Sequence, residues 1–332
     1  MPNAKLNGPK VVVIGGGTGL STMLRGLKHQ TENLCAIVSV TDDGGGSGVL
    51  RSELGMPPPG DIRHCLEALA NTEPTMQALL GYRFPEGRLK GQSFGNLFLA
   101  ALNGMCLSFD EAVRRMSEVL AITGRVLPVS NVSGVLIAEF ENGEWVYGES
   151  HIAAQKKEAG CRIRRILTSP ENPPALPDSL KAIAEADLIV IGPGSLYTSV
   201  IPNFLTEGIA EAVSGSRALR VYVLNIMTES GETEGYSAAD HIRALFEHAK
   251  PGMVTYCLAN CAKLPDEVLS RYAAEGSSPV VIDEDAVSQT GVRLICTDVA
   301  DLSGGLARHD PQKLAAELIR IFRENAETRI YG

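Results

Sequence analysis

Residues 15–19 read Gly15-Gly16-Gly17-Thr18-Gly19, four glycines in five, directly after the apolar run VVVI and before the helical pattern LSTMLRGL. Glycines let a backbone come close to a ligand, and the first N–H groups of a helix carry partial positive charge, so a strand–glycine loop–helix junction suits phosphate. Gly15 and Gly17 match the first two positions of the dinucleotide fingerprint G-x-G-x-x-G, but Leu20 occupies the third. No Gly-Lys-Ser/Thr follows, so this is not a Walker A loop. The plainer reading is a tight strand-to-helix turn. A second run of this kind, ADLIVIGPGSLYTS, places Gly192, Pro193, Gly194 and Ser195 after another buried strand, followed by Tyr197, Thr198 and Ser199. Two such loops form a two-sided cradle of the sort a diphosphate needs.

Between these loops lie further polar motifs. In SVTDDGGGSGVLR, Asp42 and Asp43 stand at the end of the second strand, about 25 residues after the first loop, near where a ribose-binding acid is expected. They can accept from a sugar hydroxyl or hold Mg²⁺ through oxygen, or be a solvated turn. The glycine-rich 44–48 run reads as a mobile flap. In MPPPGDIRHCLEAL, Asp61 reads as a helix N-cap, and Arg63 and His64 as either an anion contact or surface groups. In SFGNL, Asn96 is a turn or cap residue or an amide presented to a ligand. In GLARHDPQ, Arg308 can meet phosphate or a base edge or be a rim charge, while Asp310 caps a helix that begins at Pro311.

The elements that must carry these motifs follow from the apolar pattern. Runs at 11–14, 36–41, 188–191, 221–226, 254–258, 280–283 and 292–296 are continuous rather than alternating, as in strands covered on both faces. Amphipathic segments at 20–27, 61–71, 94–103, 109–120, 179–186, 204–213, 238–250 and 311–323 separate them. This predicts an α/β protein: a three-layer Rossmann-like fold with a mostly parallel sheet. Asn142-Gly143 between 135–140 and 145–147 predicts an inserted β-hairpin. The Pro-rich 169–178 stretch reads as a connection inside one domain covering residues 1–332.

The chain has 332 residues, a formal charge of −9, 44% hydrophobic and 21% charged residues. That composition excludes disorder and argues against duplex nucleic acid or an anionic membrane as partner. No apolar stretch reaches the ~20 residues of a membrane span, and the glycines after VVVI break any export helix, so the expected location is cytoplasmic. Seven cysteines, an odd and scattered set, read as reduced and mostly buried thiols with no zinc spacing.

Taken together, IGGGTGL, TDDGGGSG, PPPGDIR, SFGNL, GPGSLYTS and ARHD occur in an order that resembles the bacterial YvcK family of gluconeogenesis factors, whose fold is shared with the CofD phospholactate transferases. The resemblance runs from Pro9 to about Ile321. It implies a regulatory protein that binds a UDP-sugar, UDP-N-acetylglucosamine above all, and links growth on gluconeogenic carbon to peptidoglycan precursor supply and cell shape. It further implies a protein partner, glutamine–fructose-6-phosphate aminotransferase, and no required cofactor beyond an optional Mg²⁺. Carried over by residue, the diphosphate meets Gly15 to Leu20 and Gly192 to Ser195, and the nucleotide meets Tyr272 and Arg308. Where some relatives carry a phosphorylatable Thr after the RHD triplet, this chain has Pro311. The alternative function is a CofD-type transferase of a phosphate-linked or nucleotidyl group, with Asp42 and Asp43 as catalytic or Mg²⁺-binding acids. A third, an NAD dehydrogenase, has no visible hydride-transfer site. Self-association is left open by the sequence.

Overall fold

The strand Val11–Gly15 (β1) is apolar at every position but its last, and all five residues are buried. It lies between Leu34–Val38 (β2) and Leu188–Ile191 (β7), parallel to both. In the computed structural model, which describes residues 8–331, these belong to a seven-stranded sheet. Arg125–Pro128 (β3) extends it beyond β2; Leu219–Val223 (β8), Tyr256–Asn260 (β9) and Arg293–Thr297 (β10) extend it beyond β7. Every neighbouring pair is parallel. Strands covered by helices on both faces need apolar side chains on both, which is why the runs are continuous. The chain builds outward from β1 through β2 to β3, then returns to the other side of β1 and builds outward again. The reversal lies between β1 and β7, and in such sheets the crevice beyond the strand C-termini at that point takes ligands.

Val135–Phe140 (β4), Trp145–Tyr147 (β5) and Ile163–Ser169 (β6) form a separate antiparallel sheet in the order β5-β4-β6. The hairpin turn holds Gly143 at φ +85°. The third strand, β6, was not expected from the sequence, because RRILTS interrupts its apolar positions with arginines. A short ribbon pairs Ala300–Asp301 (β11) with Arg308–His309 (β12). The Pro-rich connection stays in contact with the main sheet: Leu176 N–H donates to the Val129 carbonyl and the Ser130 hydroxyl to that of Pro174. One contiguous core takes side chains from both sides of it.

Several expected boundaries move. The 280–283 run is not a strand; Val281 makes only an isolated bridge to Ser237. The 204–213 helix splits, with a short turn Ile201–Phe204 and a helix Ile209–Gly215 separated at Gly208, φ +79°. The 44–48 run, expected as a mobile flap, opens the helix Gly45–Leu54 (α2). Gly48 is required by packing: a Cβ there would stand 2.0 Å from the Asp43 carbonyl oxygen. Cys296, expected inside an apolar run, is exposed because β10 is the sheet's edge. No helix among the described residues is long and apolar enough to cross a membrane.

The helix Gly17–Leu27 (α1) packs its face of Leu20, Met23, Leu24 and Leu27 into the core. Its far end touches the C-terminal helix Pro311–Tyr331 so closely that a Cβ on Gly26 would lie 1.8 Å from the Pro311 carbonyl oxygen. That contact fixes the segment carrying Arg308 relative to α1. Gly26→Ala is therefore expected to lower stability by ~1–3 kcal/mol, the usual range for overpacking, read as a lower urea midpoint with unchanged slope.

Candidate functional site

Gly16 caps α1 in extended conformation without a side-chain hydrogen bond. A Cβ there would meet Asp61 Oδ2 at 2.6 Å and Ser39 Oγ at 2.9 Å; one on Gly19 would meet the Pro193 carbonyl oxygen at 2.9 Å, and one on Gly194 the Gly16 carbonyl oxygen at 3.0 Å. The glycines thus serve first to bring the two loops backbone to backbone. Gly17, at φ +70°, is in the conformation that favours glycine. The Asn225 side chain then brackets Gly194, accepting from its N–H at 3.3 Å and donating to its carbonyl at 3.0 Å.

Beside this junction is a cleft of about 260 Å³. Thr18, Gly19 and Thr22 of α1 form one wall, Gly194, Ser195 and Asn225 the floor, and Ala307 to His309 the opposite wall. Of the residues expected at a ligand, Thr18, Gly19, Gly194, Ser195 and Arg308 line it. Gly15, Gly16 and Gly192 are buried behind it, and Leu20 points wholly into the core. The Asp61 carboxylate lies against the Gly16–Gly17 backbone, where it feels the Gly17 N–H. The Arg308 side chain is exposed and makes no hydrogen bond or salt bridge among the described residues; it stands opposite Asp301 in the ribbon, and its charge helps hold that carboxyl below the usual range. Tyr272, on the helix Asp266–Ala274, supports that wall from behind: its hydroxyl donates to the Ala307 carbonyl at 3.2 Å.

Asp61 does not cap its own helix. The helix Gly60–Leu69 (α3) starts after Pro59 with no side-chain cap, and the Asp61 carboxylate turns to the N-terminus of α1 instead. A helix N-terminus is a favourable place for a carboxylate, yet removal from water dominates and pushes Asp61 up to about 6. Asp42 accepts from the Gly44 N–H at 2.8 Å, and burial raises it too. Asp43 turns away from the loops, accepting from the Ser150 N–H at 2.8 Å at the start of the helix Glu149–Ala159. Asn96 is buried in the helix Phe94–Met105, its Oδ1 taken by Arg63 Nε at 2.9 Å, and Arg63 also pairs with Glu67 at 2.6 Å. His64 is pushed down to about 4 by burial and then by Arg63. The structure therefore does not bring Asn96, Arg63 or His64 to the cleft.

Sequence reading passed over the segment NIMTESGETEGY after β8. Glu229 accepts from the Ser195 hydroxyl at 2.8 Å; Glu232 accepts from the Thr198 hydroxyl at 2.6 Å and the Tyr197 N–H at 3.0 Å. The available signal was a dense set of amide, carboxyl and hydroxyl groups just past a strand on the switch-point side. Burial, then Glu229, push Glu232 up to about 8, and burial followed by Asp42 and Asp61 push Glu149 up to about 10. Glu229 lines the cleft, and Glu232 and Glu149 are acids that burial holds toward the protonated form. Oxygen donors of this kind suit Mg²⁺, but no three such side chains converge as metal ligands among the described residues. A Mg²⁺ here would take few protein ligands and complete its shell with water and ligand phosphate.

Gly19→Ala is expected to cost ~1–3 kcal/mol by driving a methyl into the Pro193 carbonyl, whereas Arg308→Ala should stay within ~0.5 kcal/mol of wild type; chemical denaturation of both separates a loop-packing role from an exposed ligand contact. Glu232 gives a pH test. Its pKa is raised from 4.5 to about 8, so the folded state binds more protons than the unfolded one. The stability it contributes is present below 4.5 and lost as pH rises to about 8. Denaturation midpoints across that window should fall with pH in wild type and fall less in Glu232→Gln.

The CofD family, described as 2-phospho-L-lactate transferase CofD, matches residues 11–300. The chain is 54% identical over 316 residues to a Thermoanaerobacterium thermosulfurigenes homologue, covering 95% of this chain and 98% of that one. It is 46% identical over 317 residues to the gluconeogenesis factor of Bacillus subtilis, covering 95% and 99%. A crystal structure of a Bacillus halodurans protein of the UPF0052 family superposes with a TM-score of 0.90 at 44% identity, over 94% of this chain and 99% of the other. With its cleft at the switch point and these relatives over nearly its whole length, the chain belongs to the gluconeogenesis factors within the CofD family.

Proposed function

We propose that the protein is a UDP-sugar-binding regulatory protein, with UDP-N-acetylglucosamine as preferred ligand, that couples gluconeogenic growth to peptidoglycan precursor supply and cell shape. The observation that carries the reading is that α1's first turn at Thr18 and Gly19 and the exposed Arg308 line one cleft. A pyrophosphate between them would receive backbone hydrogen bonds, the helix end and a bidentate guanidinium together. The Ser195 hydroxyl and Asn225 amide add polar contacts for a sugar. Glu229 lines the same cleft as an acid, so Mg²⁺ shared between its carboxylate and the phosphates would relieve its repulsion of an anionic ligand. Regulation follows if the nucleotide-loaded and free forms differ in affinity for the aminotransferase partner.

The CofD match supports the second reading, transfer of a phosphate-linked group with Asp42 as the acid beside a metal. Calorimetry against UDP-N-acetylglucosamine, UDP-glucose, GDP and NAD, followed by mass spectrometry of the recovered ligand, separates the two. The first reading expects UDP-N-acetylglucosamine to bind best and return intact, with Arg308→Ala weakening it by ~1.5–3 kcal/mol, the loss of a charge-assisted hydrogen bond. Turnover at ~1 s⁻¹ or faster, abolished by Asp42→Asn, would replace it with the transferase. Binding of none of the four would remove both.

A further inference from the structure

Cys261 and Cys296 meet at the sheet edge that carries the Arg308 wall. Cys296 lies on β10 opposite Ala259 of β9, and Cys261 follows one residue past the end of β9, its N–H donating to the Thr297 carbonyl at 3.1 Å. Side chains of alternate residues share a face of a sheet, so Cys261 and Cys296 stand on the same face, diagonally across one strand gap. The register thus makes the two side chains neighbours on that face, close enough for each thiol to feel the other's charge. Both residues are exposed and both are free thiols. Cys257, further along that face, is buried and out of reach of solvent.

The segments that leave these two cysteines build the wall. From Cys261 the chain passes through Ala262, Leu264 and Val268 to Tyr272; from Cys296 it passes through β11 to Arg308. Leu264 and Val268 pack with Ala300 and Ala307 in a small apolar cluster separate from the main core. Arg271 donates to the Gly305 carbonyl at 2.9 Å and Tyr272 to that of Ala307. A small satellite cluster resists displacement far less than a sheet core does. Diagonal neighbours on paired strands lie further apart than the ~5.5–6 Å between the Cα atoms of a typical disulfide. Joining the sulfurs must therefore draw the two segments together at their base.

We propose that Cys261 and Cys296 are an oxidative modification site, a dithiol–disulfide couple whose oxidation by a peroxide shifts the wall bearing Tyr272 and Arg308; its effect on nucleotide affinity rests on the function proposed above. Cys296, exposed on the edge strand of the sheet, is the sulfur that meets the peroxide. The Cys296 thiolate attacks one peroxide oxygen, the O–O bond breaks, and a sulfenic acid and hydroxide result. The Cys261 sulfur then attacks the sulfenic sulfur; the S–S bond forms, the S–O bond breaks, and water leaves with the Cys261 proton. Two thiols lose two electrons and one hydrogen peroxide becomes two waters.

The full chain, treated with hydrogen peroxide, alkylated and digested, is expected to yield a peptide pair joined through Cys261 and Cys296. It should be lighter by two hydrogens, restored by dithiothreitol, and absent from Cys261→Ser and Cys296→Ser. Hydrogen exchange across residues 298–309 should differ between the oxidised and reduced wild type and not change with peroxide in either variant. Affinity for UDP-N-acetylglucosamine should fall about tenfold on oxidation, an ordinary coupling between sites. Independent alkylation of both cysteines after peroxide, with no joined peptide, overturns the couple. A joined peptide with unchanged exchange overturns the shift of the wall. If neither redox form binds the nucleotide, the function proposed above fails, while joined peptide and exchange still decide this proposal.

Discussion

Two loops touch backbone to backbone where the order of the sheet reverses, and the rest of the site depends on that contact. Gly16, Gly19 and Gly194 have no room for a side chain because a carboxylate or a carbonyl of the neighbouring segment already fills it. The glycine content of the motifs is therefore first a packing requirement inside the protein, and only then a means of exposing N–H groups. Once the loops are locked, α1 has one orientation, its first N–H groups open onto one cleft, and the C-terminal helix, seated on Gly26, delivers Arg308 to the other side. Asn225 repeats the same logic with a side chain, bonding both polar groups of Gly194 as a neighbouring backbone would.

The electrostatics of the region are unusual for a cleft that offers an arginine and a helix N-terminus. Glu229 lines it, and Asp42, Asp61, Glu149 and Glu232, from three other parts of the chain and its own, form a mutually interacting set with it in which burial raises the pKa of each. Carboxyl groups crowded in this way cannot all ionise, since each charge raises the cost of the next. Some are protonated donors near neutral pH, able to hydrogen-bond a hydroxyl rather than repel a phosphate. Their protonation links ligand charge, any bound cation and stability to pH through the same few groups.

The wall formed by Ala307 to His309 differs in kind from the floor. Its apolar support is a small cluster outside the main core, its strand pairs with Ala300–Asp301, and a short helix at the sheet edge sends Tyr272 to the Ala307 carbonyl and Arg271 to the adjoining Gly305 carbonyl. The wall therefore has two supports, the Pro311–Gly26 contact with α1 and the satellite cluster at the sheet edge, and the second couples the edge to the position of Arg308. Tyr272 contributes through this support: with its hydroxyl on the Ala307 carbonyl, it positions Arg308.

The sequence by itself determined the α/β class, the parallel sheet, the hairpin and both glycine loops, because continuous apolar runs and clustered glycines are local signals with local causes. It also singled out Thr18, Gly19, Ser195 and Arg308, which line the cleft. Tertiary structure alone decided the partners of side chains far apart in the chain. Asp61 reads as a cap for its own helix and instead serves α1; Asn96 reads as a turn or cap residue or a ligand contact, and holds Arg63. Asp43 is adjacent to Asp42 in sequence but bonds Ser150, far along the chain. Glu229, Glu232 and Asn225 gain their meaning only because β8 ends beside β7. A polar side chain takes whichever partner the fold brings within hydrogen-bonding reach, and that choice belongs to the packing of the elements rather than to the spacing of the residues.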